Sequence, residues 1–332
     1  MNPISGSAVI LAVLLAADPP EASPPPELGY RVAPDFLRVP PRWVPGEASG
    51  VAADSKGHLW VFQRASPMLS EFDGQGRYLR SLPDALFQHP HGLRIDADDN
   101  LWTTDDGNHL VLKLSPAGKV LLVLGRRGQG AEATWLFNKP TDVAFASNGD
   151  VYVADGYGNS RIVRLDRHGN FIQTWGRYGS GAGEFNLPHS IVIDRRDKVY
   201  VGDRENRRIQ VFDREGKFIE QWTDVGYPYG LVLTPDDHLL MADGGYDRVV
   251  ELDGTGRIVG AIGSPGHAPG QFAWAHFLAL TRDRKLIVAD VLNWRFQVSL
   301  PARPSGKASP YVPSKREFWD SKKSEGFDSH RQ

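Results

Sequence analysis

DRRDKVYVGDR, residues 194–204, decides the fold, because five other stretches of the chain repeat its pattern. They are DSKGHLWVFQR (54–64), DADDNLWTTDD (96–106), ASNGDVYVADG (146–156), TPDDHLLMADG (234–244) and TRDRKLIVADV (281–291). Each reads as a polar turn followed by a short apolar strand, and all but the first put aspartate near the strand's end. The six stretches begin at 54, 96, 146, 194, 234 and 281, so the steps are 42, 50, 48, 40 and 47 residues. A period of roughly 40–50 residues with several strands per unit marks the blades of a propeller. Alternation with a period of two excludes a helical solenoid. In the first five units a glycine turn at Gly76, Gly118, Gly169, Gly216 or Gly256 leads into an outer strand. The sequence therefore predicts an all-β, six-bladed β-propeller.

The sixth unit runs out after RFQVSL (295–300) without a fourth strand. GYRVAPDFLRVP (29–40) precedes the first unit and alternates apolar residues, so it is expected to supply that strand and close the ring. Closure removes edges that would otherwise recruit other chains. The propeller is thus assigned to residues 29–300. Residues 1–28 read as a signal-like leader with a proline-rich linker, and residues 301–332, polar and rich in Pro, Ser and Lys, as a disordered tail. The apolar run at 8–17 is too short to span a bilayer but suits the middle of a secretory signal, with Ala17 or Ala22 before the cut. Export is the expectation. The alternative is a leader that is never cleaved, since no Lys or Arg precedes Arg31.

Composition narrows the chemistry. With 38 basic and 40 acidic side chains among 332 residues the net charge is −2, without the basic excess of a nucleic-acid binder. The chain has no cysteine, so any metal rests on His, Asp, Glu or backbone oxygen. A monomer is expected.

Aligning the units exposes candidate ligands. Five residues before each start stand Ser49, His91, Thr141, His189, Tyr229 and His276, at the head of each blade's innermost strand. Histidine fills the second, fourth and sixth blades, about 120° apart around a six-fold ring, so three imidazoles converge on the axis. Three protein ligands with an open position describe a catalytic zinc site. One such histidine would be an ordinary hydrogen-bonding residue; three in strict alternation are not. Other divalent ions also accept three imidazoles. A second column holds Gln63, Asp105, Asp155, Asp203, Asp243 and Asp290, read as structural turn residues. Its next position brings Arg64 and Arg204, with Tyr157 beyond Gly156, to the same mouth. Arginine beside a metal implies an anion between them, and a carboxylate suits a guanidinium fork. For either arginine alone, Arg64 or Arg204, a rim salt bridge is the competing reading, and for Tyr157 a turn aromatic packed on a neighbouring blade.

PHGL (90–93), PTDVA (140–144), DGYGNSRIV (155–163), LPHS (187–190) and DRENRRIQ (203–210) together resemble the peptidyl-α-hydroxyglycine α-amidating lyases, a family of NHL-repeat propellers. The resemblance implies a zinc lyase that cleaves the N–Cα bond of a peptidyl or N-acyl α-hydroxyglycine, giving an amide and glyoxylate. It implies His91, His189 and His276 as zinc ligands, and Tyr157 as acceptor of the substrate hydroxyl proton. Arg204 would favour its phenolate, and Arg64 would hold the substrate carboxylate. The family also binds a structural calcium, to which the backbone carbonyls of Val51 and Leu93 would contribute here. Its acid beside the third histidine is Phe277 in this chain, in the run Trp274–Ala275–His276–Phe277, which speaks against calcium. The family's cysteine in the tyrosine loop is Gly158, and no copper-monooxygenase half accompanies the repeats, so hydroxylated substrate is expected from another protein. The alternative is a non-catalytic NHL propeller that binds a protein or glycan. A lactonase-like hydrolase would place acidic residues on the axis, and the inner column has none.

Overall fold

A computed structural model describes residues 24–302. The leader at 8–17 and nearly all of the expected tail lie outside the described residues. The chain forms six four-stranded antiparallel sheets. Blade one, for instance, runs Ala48–Ala53, Leu59–Gln63, Leu69–Phe72 and Tyr78–Ser81 from the centre outward. The innermost strands neighbour one another all the way round, with the first blade against both the second and the sixth. The five turn glycines before the outer strands all have φ between 77° and 86°, which side-chain-bearing residues rarely adopt.

Blade six has three strands of its own, Ala275–Leu280, Leu286–Asp290 and Arg295–Pro301, and takes its fourth from Tyr30–Ala33. Tyr30 opposes Pro301 and Ala33 opposes Val298. Only four residues of the 29–40 stretch make this strand, because Pro34 has no N–H to continue the ladder. The remainder crosses to blade one, where the Arg38 amide donates to the Gly76 carbonyl at 2.7 Å. Before the strand, residues 26–28 already lie along the outer edge of blade five, with Leu28 N–H bonded to Ala261 O at 2.8 Å. The N-terminal segment thus stitches blades five, six and one together.

Both faces of the inner strands are covered by neighbouring blades, whereas outer strands such as Phe218–Trp222 keep the period-two alternation of covered and exposed positions. The second strand of every blade is wholly buried. Apolar clusters fill each of the six interfaces, such as Phe62, Leu69, Leu93 and Leu101 between blades one and two, and Ile209, Val211, Leu231 and Leu239 between blades four and five.

The aspartate column is structural in the structure too. Asp203, fully buried, takes the Asn186 amide on one oxygen (2.7 Å) and Arg208 Nε on the other (2.7 Å). Asp155–Arg161, Asp243–Arg248 and Asp290–Arg295 repeat the pair at 3.0 Å each. Each clamp fastens the loop leading into a blade to the start of that blade's third strand. Removing one partner of a buried ion pair strands a charge, which costs about 3–5 kcal/mol, whereas an exposed pair such as Arg177–Glu184 is worth about 0–1 kcal/mol. Asp203→Ala is therefore expected to lower unfolding free energy by about 3–5 kcal/mol. Urea denaturation measures this, and a loss no larger than that of Glu184→Ala would contradict the clamp.

Candidate metal centre

The inner strands do not run straight at the histidines. Each of five blades carries a β-bulge there, for example where Pro90 opposes Asp105 but Leu93 opposes Thr103, or where Ala275 opposes Asp290 but Leu278 opposes Val288. The same irregularity sits at Ser49, His189 and Tyr229. A bulge re-aims a side chain by breaking the two-residue alternation. It turns the column residues towards the axis.

There His91, His189 and His276 form a nearly equilateral triangle, with ring centroids 4.8, 4.9 and 4.9 Å apart. One nitrogen from each can be chosen so that all three lie within 4.8 Å of one another. All three residues are buried. Their Nδ1 atoms donate to carbonyls of the same column in the next blade: His91 to Thr141 O (2.7 Å), His189 to Tyr229 O (2.6 Å) and His276 to Ser49 O (2.7 Å). A carbonyl can only accept, so each Nδ1 carries the proton and each Nε2 presents a lone pair. Outer partners of this kind fix the tautomer and orientation of metal-binding imidazoles. Burial, then neighbouring positive charge, holds His91 and His189 well below the usual histidine range, and the same causes, with Arg64 foremost among the charges, bring His276 down to about 3. At neutral pH all three are uncharged.

The Tyr157 hydroxyl lies 3.1 Å from both His91 Nε2 and His189 Nε2. With both Nδ1 atoms protonated, its single proton can satisfy only one of those nitrogens. The site therefore concentrates unshared electron pairs around one point, an arrangement that a cation completes. Three imidazole nitrogens can hold a metal ion, and the donor set suits zinc.

Arg204, also buried, points Nη1 at the Tyr157 hydroxyl (3.4 Å), binds Glu205 through Nε (2.9 Å) and stacks 4.7 Å from the Tyr229 ring centroid. Its Nη2 is buried without a hydrogen-bond partner. The salt bridge of the competing reading for Arg204 is thus present, but inside the mouth rather than on its rim. Arg204 pulls the Tyr157 pKa down as expected, yet burial outweighs it and the phenol is raised above its ordinary value. Arg64 reaches the same centre from blade one, paired with Glu47 at 2.7 Å and bonded to Pro90 O at 3.2 Å. Beside Tyr157 a groove of about 340 Å³ opens to solvent, lined by Asn159, Tyr178 and Asn186 among others.

Trp274 is buried edge-on to Tyr229 and His276, forming one wall. Val51 and Leu93 lie on the innermost strands with side chains in the interfaces of blades six–one and one–two. Sequence reasoning missed three features: the carbonyls of Ser49, Thr141 and Tyr229, the buried Asp106 bonded to His89 (2.5 Å), and the position of Phe277. The carbonyls had a signal, since they occupy the odd-numbered blades of the histidine column.

Residues 87–114, 137–165 and 185–212 match the model of the NHL repeat, covering blades two to four. The chain is 40% identical over 200 residues to the peptidylglycine alpha-amidating monooxygenase of Rattus norvegicus, across 50% of this chain and 20% of that protein. It is 34% identical over 192 residues to a probable peptidyl-alpha-hydroxyglycine alpha-amidating lyase of Caenorhabditis elegans, across 50% of this chain and 55% of that protein. Human NHL repeat-containing protein 3 is 33% identical over 185 residues, across 52% and 53%. The aligned part thus spans from a fifth to about half of these relatives. Among solved structures, a gluconolactonase of Xanthomonas campestris has a TM-score of 0.62 at 16% identity, covering 86% of this chain and 99% of that one, a likeness of fold alone. The chain is a six-bladed propeller with NHL-repeat matches in blades two to four, and it is similar to the amidating lyases.

Proposed function

We propose, from this similarity to the amidating lyases, that the chain is a metal-dependent carbon–nitrogen lyase converting a peptidyl or N-acyl α-hydroxyglycine into an amide and glyoxylate. The observation that carries the reading is the Tyr157 hydroxyl held between two triad nitrogens, with Arg204 on its other side. The substrate carries a free carboxylate, which Arg64 holds and for which Arg204's Nη2, buried without a hydrogen-bond partner, is a further donor. A guanidinium binds such a group in a water-poor pocket far better than at an open surface. Tyr157 takes the hydroxyl proton. The oxygen's freed electron pair forms the C=O of glyoxylate as the N–Cα bond breaks, and the bond pair goes to the amide nitrogen, which is protonated. Overall the hydroxyl proton ends on nitrogen, so atoms balance without oxidant or reductant. A buried phenol is a poor base with Arg204 alone, so a second positive charge is required. Zinc held by His91, His189 and His276 would supply that charge and Lewis acidity towards a substrate oxygen.

In this reading the protein acts as a monomer and outside the cytoplasm, the latter resting on the apolar run at 8–17. A binding propeller without catalysis is the second reading, favoured by the similarity to NHL repeat-containing protein 3. Incubating zinc-loaded protein with a synthetic α-hydroxyglycine peptide separates the two. Stoichiometric amide and glyoxylate, faster than the spontaneous background, are expected; background rate alone supports the binding reading.

A further inference from the structure

We infer that the Arg94 guanidinium, clamped by Asp142 and laid against Phe277, is the fixed cation of the axial channel beneath the triad, so that this propeller needs no second metal ion there. The inference does not depend on the reaction assigned to the mouth.

One residue past the histidine column the six blades carry Gly50, Gly92, Asp142, Ser190, Gly230 and Phe277. Most are too small to fill a channel, and the glycines have no room for more. A Cβ on Gly92 would fall 2.6 Å from Thr141 O, and one on Gly230 2.5 Å from His276 O and 2.9 Å from Phe277 Cα. The space is taken by a single ring. The Phe277 centroid lies 5.6, 5.7 and 4.9 Å from those of His91, His189 and His276, so it caps the triangle. It is fully buried.

Arg94, from the inner strand Pro90–Ile95 of blade two, places its guanidinium carbon 5.4 Å from the Phe277 centroid. Its fork holds Asp142 with Nε to Oδ1 at 2.9 Å and Nη2 to Oδ2 at 2.6 Å. Asp142 also accepts the amides of Val143 (2.8 Å) and Ile191 (3.0 Å) and is fully buried. Four donors saturate a carboxylate. Calcium takes six to eight oxygens and normally includes free carboxylates. Here the acid is spent on arginine, and the position after His276 carries a ring rather than a carboxylate. A guanidinium is also the cation best suited to the place, since it combines bidentate bonding with stacking on an aromatic face.

The test uses the full chain, zinc-loaded and dialysed into calcium-free buffer. Thermal melts with and without millimolar calcium should coincide, because an ion that binds only the folded state would raise Tm by several degrees at saturation. A calcium-dependent rise in wild type, with one ion bound by calorimetry, overturns the inference. Arg94→Gln keeps hydrogen bonding but removes the charge, whereas Arg94→Lys keeps the charge without the fork. Arg94→Gln should melt on the order of 5–15 °C lower than wild type, with Arg94→Lys in between. If the glutamine variant melts as high as the lysine variant, charge is not what the channel requires. Should both variants fail to fold, the wild-type melt still decides.

Discussion

His189→Ala is expected to release the metal ion and remove activity while leaving the propeller folded. The ring lies at the axis, packed on Tyr229 but outside the interfaces between blades. It is held in the axial mouth by hydrogen bonds to Tyr229 O and the Tyr157 hydroxyl, with His91, His276 and Phe277 around it. Loss of an outer partner of a metal ligand costs about 10–100-fold in affinity, so loss of the ligand itself should exceed that. Without the ion, Tyr157 keeps its raised pKa and cannot serve as base at neutral pH. Elemental analysis after dialysis, beside far-ultraviolet circular dichroism, reads both halves of the prediction. Wild-type metal content in the variant would remove His189 from the site.

Tyr157→Phe makes the complementary change. The benzene ring keeps its edge-on contacts with His91 and His189, at 5.0 and 5.6 Å between centroids, so packing survives and only the hydroxyl is lost. Metal content should stay at one ion per chain, and KM should change little because in the proposed reaction Arg64 and Arg204 would still hold the carboxylate. Loss of a positioned proton acceptor lowers kcat by about 10²–10⁴-fold, or about 3–5 kcal/mol at 1.36 kcal/mol per tenfold. A fall of less than about tenfold would mean that another group takes the proton, and the hydroxyl would then be a mere ligand contact.

The parts of the structure legible in the sequence are those written in side chains at a fixed period. The turn-strand repeat at 54, 96, 146, 194, 234 and 281 yields six blades, and the alternating His91, His189 and His276 yield the axial triangle. The closing strand was also readable, although Pro34 confines it to Tyr30–Ala33. What stayed hidden is carried by backbone or by competition between forces. The residue types of Thr141, Tyr229 and Ser49 do not announce that their carbonyls bind the neighbouring histidine, and only their place in the column marks them. Nor does sequence reveal the bulges that turn those histidines inward. Arg204 beside Tyr157 suggested an acidic phenol, but whether burial or the guanidinium prevails depends on how much water reaches the hydroxyl. Phe277 was legible as a missing carboxylate and not as a ring, because its role depends on Arg94 arriving from another blade.

The most direct measurement is anomalous diffraction at the zinc absorption edge from crystals of zinc-loaded protein. The account predicts one dominant peak on the propeller axis, about 2.0–2.1 Å from the Nε2 atoms of His91, His189 and His276. A map with no peak inside that triangle, or with its strongest peak elsewhere on the molecule, would contradict it.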